Sequence, residues 1–440
     1  MELSRRNFMS ASAAAVVTAG TTVRGRAFAA NERIGMLVVG VNGQGNSHIR
    51  GFAGSDNAEV VALCDPDERI LERRAAEVKE ATGKEPSTYA DLRDALADPR
   101  VDAVSIATPH HWHALAAIWA AQAGKDVYVE KPSSYDVFEG RQLIAAAEKY
   151  DRIIQHGTQR RSDRRWLRDI PLLQSGEIIG PLYMARCLGY KHGNRGPLGF
   201  HDDRRPPRNL DWELWQGPAA RQPFNPAYHP YNWHWFWHYG NGEIGNQGVH
   251  QMDVGIWGIN KGMPRTVFSA GGRYTYEDMA ETPNTNVATF TYDDGTMLVF
   301  EVRNRWTHRE AGMEIDGKFF RGVDVGNMFY GEEGYYVEGA GFFDTNDRLI
   351  PLEEDKYPTP ESAGPLENFL AAVKAHNPAL IHGDMVDAHI GNTHCHLANI
   401  AYRVGQSLEF DADTETFKQE EANHLLAREY AEGFEVPKLA

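Results

Sequence analysis

From Glu32 onward, short apolar runs alternate with helical stretches. IGMLVVGV reads as a buried strand, 45–53 as a helix, and EVVALC as a second strand. Residues 67–82, rich in Glu, Arg and Ala, read as a helix. VDAVSIA is a further strand, HWHALAAIWAAQAG a helix, KDVYVE a strand, 137–150 a helix and RIIQHG a last strand. Continuous apolar runs separated by helices are the pattern of strands covered on both faces. This order predicts a doubly wound parallel sheet, an α/β domain over 32–157.

After Gly157 the rhythm changes. Longer strands such as PLYMARCLGY and NVATFTYDDGTMLVFEVRNRW stand between Gly- and Pro-rich loops. TFTY and TMLVFEV flank Asp-Asp-Gly, a hairpin signal. These features predict a second, α+β domain over 158–440 with a largely antiparallel sheet. Helices are expected at 367–376 and 385–404, and the acidic ETFKQEEANHLLAREY is expected to form a last one.

The N-terminus changes the picture of where the chain works. SRRNFM precedes a mild apolar run, then Arg24, Arg26 and the small-residue site Ala27-Phe28-Ala29. Paired Arg, a short apolar run and an A-x-A site make an export signal over 1–29, resembling a twin-arginine (Tat) leader. The expected location is the periplasm. The run is too short and too rich in Ala and Thr to span a bilayer. The whole chain carries −16, and losing 1–29 removes four Arg and one Glu, which leaves it more acidic. That argues against nucleic acid and anionic membrane as partners. Three scattered cysteines, Cys64, Cys187 and Cys395, imply no disulfide framework.

Candidate chemistry starts after the first strand. Gly40-Val-Asn-Gly-Gln-Gly45 opens a helix and departs from GxGxxG by carrying Asn42 at the second glycine position. Glycines at a strand-to-helix turn bring backbone N–H groups and a helix N-terminus onto a pyrophosphate. Gly40, Asn42, Gly43, Gln44 and Gly45 are therefore candidate cofactor residues. Asp65 ends the second strand, 20 residues on, where a carboxylate accepts from a ribose 2′-OH and repels a 2′-phosphate. This favours NAD, with NADP the alternative because Arg69 is nearby; Asp65 also reads as the start of an Asp-Pro turn.

The strings ATPHHWH at 107–113 and AGKDVYVEKP at 123–132 resemble the Gfo/Idh/MocA family, the glucose-fructose oxidoreductase and inositol dehydrogenase relatives. GTQRRS, LDWELWQGPA and CHLANIAYRVGQSL extend the resemblance to most of the chain and are similar to the family's exported branch. The resemblance implies a Rossmann domain followed by an open-faced α/β domain, with the site between them; export of an already folded protein favours a tightly held NAD. It implies a catalytic Lys131 beside the nicotinamide, with Glu130, Thr108, Pro109 and His113 near the cofactor. GNQGVHQMD resembles the family's G-x-x-G-x-H-x-x-D string and makes His250 the catalytic histidine. The family's Asp position is held by Asn246, which hydrogen-bonds but cannot titrate. Asp253 is expected to orient His250, and Arg160 and Arg161 to face the site. Assembly into a dimer or tetramer is also implied.

NWHWFWHYG at 232–240 is the densest aromatic text in the chain. As a strand it would put Trp233, Trp235 and Trp237 on one face. As a helix it would put His234 and His238 together, but without the Glu or third ligand a zinc site needs. No metal is expected. Flat aromatic faces suit sugar rings, so Trp235 is a candidate substrate wall; packing of a long loop is the alternative. The functional expectation is an NAD(P)-dependent oxidoreductase acting on a CH–OH group of a sugar, polyol or glycoside. Two alternatives stand beside it. One is a redox-neutral glycosidase or epimerase with tightly bound NAD and a keto-sugar intermediate. The other is a catalytically idle sugar-binding protein.

Overall fold

The structure, a computed structural model, describes residues 32–191, 196–275, 277–304, 307–315 and 317–440. The export signal read at 1–29 lies outside these residues. The first sheet is parallel, ordered β3-β2-β1-β4-β5-β6. Its strands are β1 Ile34–Val39, β2 Ala58–Cys64, β3 Ser87–Tyr89, β4 Ala103–Ile106, β5 Asp126–Val129 and β6 Ile154–His156. β1, β4, β5 and β6 are buried throughout. Between them run α1 Gly43–Ala53, α2 Glu68–Thr82, α3 Leu92–Leu96, α4 His110–Gln122 and α5 Val137–Tyr150. Asp67 and Asp136 cap α2 and α5 by accepting from Ile70 N and Glu139 N. Such caps contribute about 1 kcal/mol each. The strand order reverses between β1 and β4, which opens a crevice at their carboxyl ends.

The next helices are α6 Arg164–Ser175 and α7 Trp212–Gln216. The second sheet has ten strands among the described residues, ordered β16-β15-β14-β13-β7-β10-β9-β8-β17-β18, with β14 Gly334–Val337, β15 Gly341–Asp344, β16 Leu349–Ile350, β17 Leu408–Asp411 and β18 Thr416–Phe417; β11 Met313–Ile315 and β12 Lys318–Phe320 pair separately. β7 Leu182–Tyr190 and β10 Met297–Arg303 pair parallel, and the other pairings are antiparallel. β8 spans Thr266–Gly272, β9 Thr285–Thr291 and β13 Val325–Gly331. The β9–β10 hairpin turns at Asp293-Asp294-Gly295, where Gly295 takes φ +86. One face of this sheet buries Phe290, Leu298 and Phe300 against α8 Val249–Ile259 and α10 Met385–Val404. The opposite face exposes Phe268, Val287 and Met297.

The chain returns twice to the first sheet. α9 Pro365–Ala375 lays Phe369, Leu370 and Val373 on Ile34, Met36 and Tyr128. The C-terminal stretch puts Phe434 and Val436 among the side chains of α4 and α5. The helix expected over ETFKQEEANHLLAREY does not form. That segment gives a two-residue strand, Thr416–Phe417, and a 3-10 turn, Glu420–Leu425. Its apolar side chains are pinned apart: Phe417, Ala422 and Leu426 belong to the second core, while Arg428 reaches back to Glu139 Oε1 at 2.6 Å.

Candidate active site

The turn after β1 is built by its glycines. A Cβ on Gly40 (φ +78) would lie 2.8 Å from the backbone of Ala107 and Thr108. The turn therefore sits directly against the loop after β4. A Cβ on Gly45 would lie 1.7 Å from Gly40 O. Gly45 is thus a packing glycine beneath the turn and is not among the residues that line the cleft. Gly43 takes φ +46 and has no atom within 4 Å of its would-be Cβ, so its backbone is open to a ligand. Asn42 precedes α1 without capping it through its side chain. Open N–H groups at a helix start suit a pyrophosphate.

Asp65 accepts from Val41 N and from Asp67 N, both at 2.9 Å. It ties the glycine turn to the start of α2 and lines the same cleft. Burial pushes its carboxyl up to about 6, against the pull of those two N–H groups.

At the carboxyl end of β5, Glu130 is buried with its charge satisfied. His48 Nε2 lies 3.1 Å from Oε1, and Gln44 Nε2 donates to the same oxygen at 3.2 Å. His48 Nδ1 in turn meets Ser105 Oγ at 2.8 Å. Burial acts to raise the Glu130 carboxyl, but the hydrogen bond and charge of His48, with Lys131 and His250, hold it down at about 2.

Lys131 points into the cleft. Its Nζ donates to Asn246 O at 2.9 Å and lies 3.4 Å from Asn246 Oδ1. His113 clamps the two loops that frame it, with Nδ1 2.6 Å from Pro132 O and Nε2 2.8 Å from Thr108 O. Asn246 sits in a π-helical turn, Ile244–Gly248, that runs into α8. His250, four residues on, faces the same cavity. Burial, then the Lys131 charge, pushes His250 well below the usual histidine range, which favours the neutral imidazole.

These groups line one cavity of about 420 Å³, within the size of a small-molecule site. Gly40, Asn42, Gly43, Gln44, Asp65, Thr108, Pro109, His113, Glu130, Lys131, Asn246 and His250 all face it. Three expected substrate residues do not. Trp235 is buried in an aromatic cluster with Trp212, Trp215 and Phe236. Arg160 is ion-paired with Glu338 at 2.5 Å. Asp253 is locked to Arg161 by hydrogen bonds of 2.8 and 3.0 Å rather than orienting His250; three residues along a helix turned it toward Arg161. Among the described residues, no three His, Cys, Asp or Glu are placed to hold a metal, and none of the helices is long and apolar enough to cross a membrane.

The aromatic lining comes not from Trp235 but from its neighbours, which form a roof over the cavity. His229, Tyr231, Trp233 and His234 line it, with Trp215. The aromatic run is neither a strand nor an α-helix: Asn232–Trp235 is a 3-10 turn, and Trp233, His234, Trp235 and Phe236 are all buried while His238 is exposed. The stretch 209–211, which precedes Trp215, is tied to the β2–α2 loop. Glu68 N donates to Asn209 O at 2.9 Å, Asp211 N to Pro66 O at 3.0 Å, and Asn209 Nδ2 to Asp67 Oδ1 at 2.7 Å. The abundance of Trp and His was a visible signal. That it covers the cofactor end of the cleft was not.

The parallel sheet, its glycine turn and the adjoining antiparallel domain define a two-domain oxidoreductase architecture. Residues 34–158 match the family described as GFO_IDH_MocA, an oxidoreductase family with an NAD-binding Rossmann fold, and 207–335 match the GFO/IDH/MocA C-terminal domain. Together these stretches exceed half of the chain, which belongs to the GFO/IDH/MocA family. A glycosyl hydrolase family 109 protein of Shewanella sp. (strain W3-18-1) is 34% identical over 121 residues, 27% of this chain and 26% of that protein. Inositol 2-dehydrogenase of Salmonella paratyphi B is 33% identical over 147 residues, 33% of this chain and 43% of that protein. The chain thus matches a quarter to two fifths of these relatives' lengths. In fold, it superposes on the WlbA dehydrogenase of Bordetella pertussis, solved with NADH and UDP-GlcNAcA, with a TM-score of 0.62 at 19% identity, covering 87% of this chain and 100% of that one.

Proposed function

We propose that this chain binds NAD in the cleft and oxidises or reduces a carbinol carbon of a sugar, polyol or glycoside. The observation that carries the reading is the Lys131 ammonium, held by Asn246 in the same cavity as the glycine turn and His250. Open backbone at Gly43 and the uncapped start of α1 fit a pyrophosphate, and Asp65 suits a ribose 2′-OH, which favours NAD over NADP. When bound, NAD supplies the hydride acceptor or donor.

The remaining work falls to side chains. Lys131 stabilises negative charge developing on the carbinol oxygen. His250 accepts the hydroxyl proton during oxidation and returns it during reduction. Asn246 holds the Lys131 ammonium in place. The test is a panel of sugars and polyols followed by absorbance of reduced nicotinamide. Lys131→Ala should abolish turnover while NAD stays bound; turnover that survives this change would overturn the assignment.

A second reading has its own support. His229, Tyr231, Trp233 and His234 line the cleft on the side of the β2–α2 loop, with His229 Nε2 4.0 Å from Asp67 Oδ2, and relatives that match part of the chain are named as glycosyl hydrolases. A retained NAD would suit a closed cycle in which one sugar is oxidised, loses its leaving group with the neighbouring C–H proton by elimination beside the new carbonyl, takes up water across the resulting double bond, and is reduced again. Export by the twin-arginine leader, which carries folded proteins, would suit such retention. Bond cleavage without net change in nicotinamide absorbance would select this reading. We further propose that the exposed face carrying Phe268, Val287 and Met297 pairs copies of the chain into a dimer or tetramer.

A further inference from the structure

The replacement of an acid by Asn246 is matched by an acid one turn earlier. Glu243 precedes the π-helical turn and is 1% exposed. Asn246 Nδ2 lies 3.5 Å from Glu243 Oε2, while Asn246 Oδ1 lies 3.4 Å from Lys131 Nζ. The amide can serve both neighbours in only one orientation. Its NH₂ faces the carboxylate and its oxygen faces the ammonium. Reversal would set donor against cation and acceptor against anion. A carboxylate at 246 would instead face Glu243 at hydrogen-bond distance, and two buried like charges at that spacing oppose each other.

We propose that Glu243 is a positioning residue for the reaction: its carboxylate orients the Asn246 amide and supplies, through that amide, negative charge toward the Lys131 ammonium. Asn at 246 and Glu at 243 form a matched pair, with the acid three residues before the amide that faces Lys131. π-Helical turns concentrate at functional sites, and this one is packed tightly enough to hold a relay. A Cβ on Gly245 would lie 2.4 Å from Asn241 Cβ, and one on Gly248 would lie 2.7 Å from the Phe300 ring. The inference rests on Lys131 acting in the site. That reading fails separately, through the turnover of Lys131→Ala.

Other charged and titratable groups act on Lys131, so a direct readout is needed. Glu130 adjoins it, and His110, His113, His156, His250 and Cys395 all sense its charge. The experiment uses the protein as purified, trace-labelled with deuterated acetic anhydride across roughly pH 6–11. The Lys131 peptide is followed by mass, and the midpoint of its reactivity is read without any substrate. Glu243→Gln should lower that midpoint by about half a unit or more. Glu243→Gln with Asn246→Asp should restore or exceed the wild-type value, because the acid then sits directly at Lys131. Asn246→Asp alone should move the midpoint less than it does in the Glu243→Gln background, since Glu243 opposes a second charge. A structural role alone predicts no movement. An unchanged midpoint in folded Glu243→Gln overturns the proposal; should that variant fail to fold, a rise of the Lys131 midpoint by about one unit or more in Asn246→Asp alone, the full effect of a carboxylate beside the ammonium with no opposition from Glu243, overturns it.

Discussion

His48 Nε2 and Glu130 Oε1 meet at 3.1 Å beneath the cleft, both side chains buried. This pair couples α1, which carries the glycine turn, to the end of β5, which carries Lys131. A buried carboxylate needs such a partner, and its removal leaves an uncompensated charge. His48→Ala is expected to destabilise the chain by about 3 kcal/mol, read as a lower midpoint in urea. Glu130 also accepts from Gln44, so Gln44→Ala should cost clearly less.

The same pair sets an acid limb. The Glu130 carboxyl is held at about 2 in the fold against 4.5 for an ordinary glutamate. A depressed folded value contributes stability that is complete above pH 4.5 and is lost as the pH falls toward 2. Glu130→Gln should therefore flatten the fall in stability within that window. An unchanged slope there would remove Glu130 as its source.

Asp65 behaves in the opposite sense. Burial raises its carboxyl from 3.8 to about 6. If the ionised form accepts from the ribose, NAD affinity should be full above pH 6 and should fall below it. A charge-assisted bond exceeds a neutral one by about 1 kcal/mol, so the loss between pH 7 and 5 should be roughly fivefold. Isothermal titration would show it, and Asp65→Asn should make the affinity weaker and nearly independent of pH.

Two neighbouring glycines should separate fold from binding. Gly45→Ala drives a Cβ to within 1.7 Å of Gly40 O, so soluble folded protein should be scarce. Gly43→Ala meets no neighbour and carries only the strain of φ +46, about 1 kcal/mol. Its melting point should change little while dinucleotide affinity drops at least tenfold, because the methyl group stands where the ligand must approach.

The tie between Asn209 and the β2–α2 loop, beside the cleft, makes a kinetic prediction. Asn209→Ala removes the 2.7 Å bond to Asp67 without touching the glycine turn. Cofactor should then dissociate about fivefold faster, as expected for losing one bond worth about 1 kcal/mol, with stability nearly unchanged. Stopped-flow displacement measures this directly.

The two sheets were legible because their strands obey simple patterns. The buried run IGMLVV and the hairpin at Asp294-Gly295 need no distant partner to be recognised. So were most of the cleft residues, since glycine turns and strand ends stay close to the crevice wherever the details fall. Trp235, Arg160 and Asp253 do not line the cavity for a different reason. Arg160 pairs with Glu338, Asp253 with Arg161, and Trp235 packs with Trp212 and Trp215, contacts that local spacing does not encode. The final helix failed likewise: its apolar side chains are shared between two cores. The Glu243–Asn246–Lys131 alignment depends on a π-helical turn, and ordinary helical periodicity does not reveal it.

The most direct test of the central claim is to denature freshly purified protein and identify what it releases by absorbance and mass. The account predicts NAD in near one-to-one ratio with the chain, or stoichiometric uptake when NAD is added. A chain that releases no dinucleotide and takes up neither NAD nor NADP contradicts it.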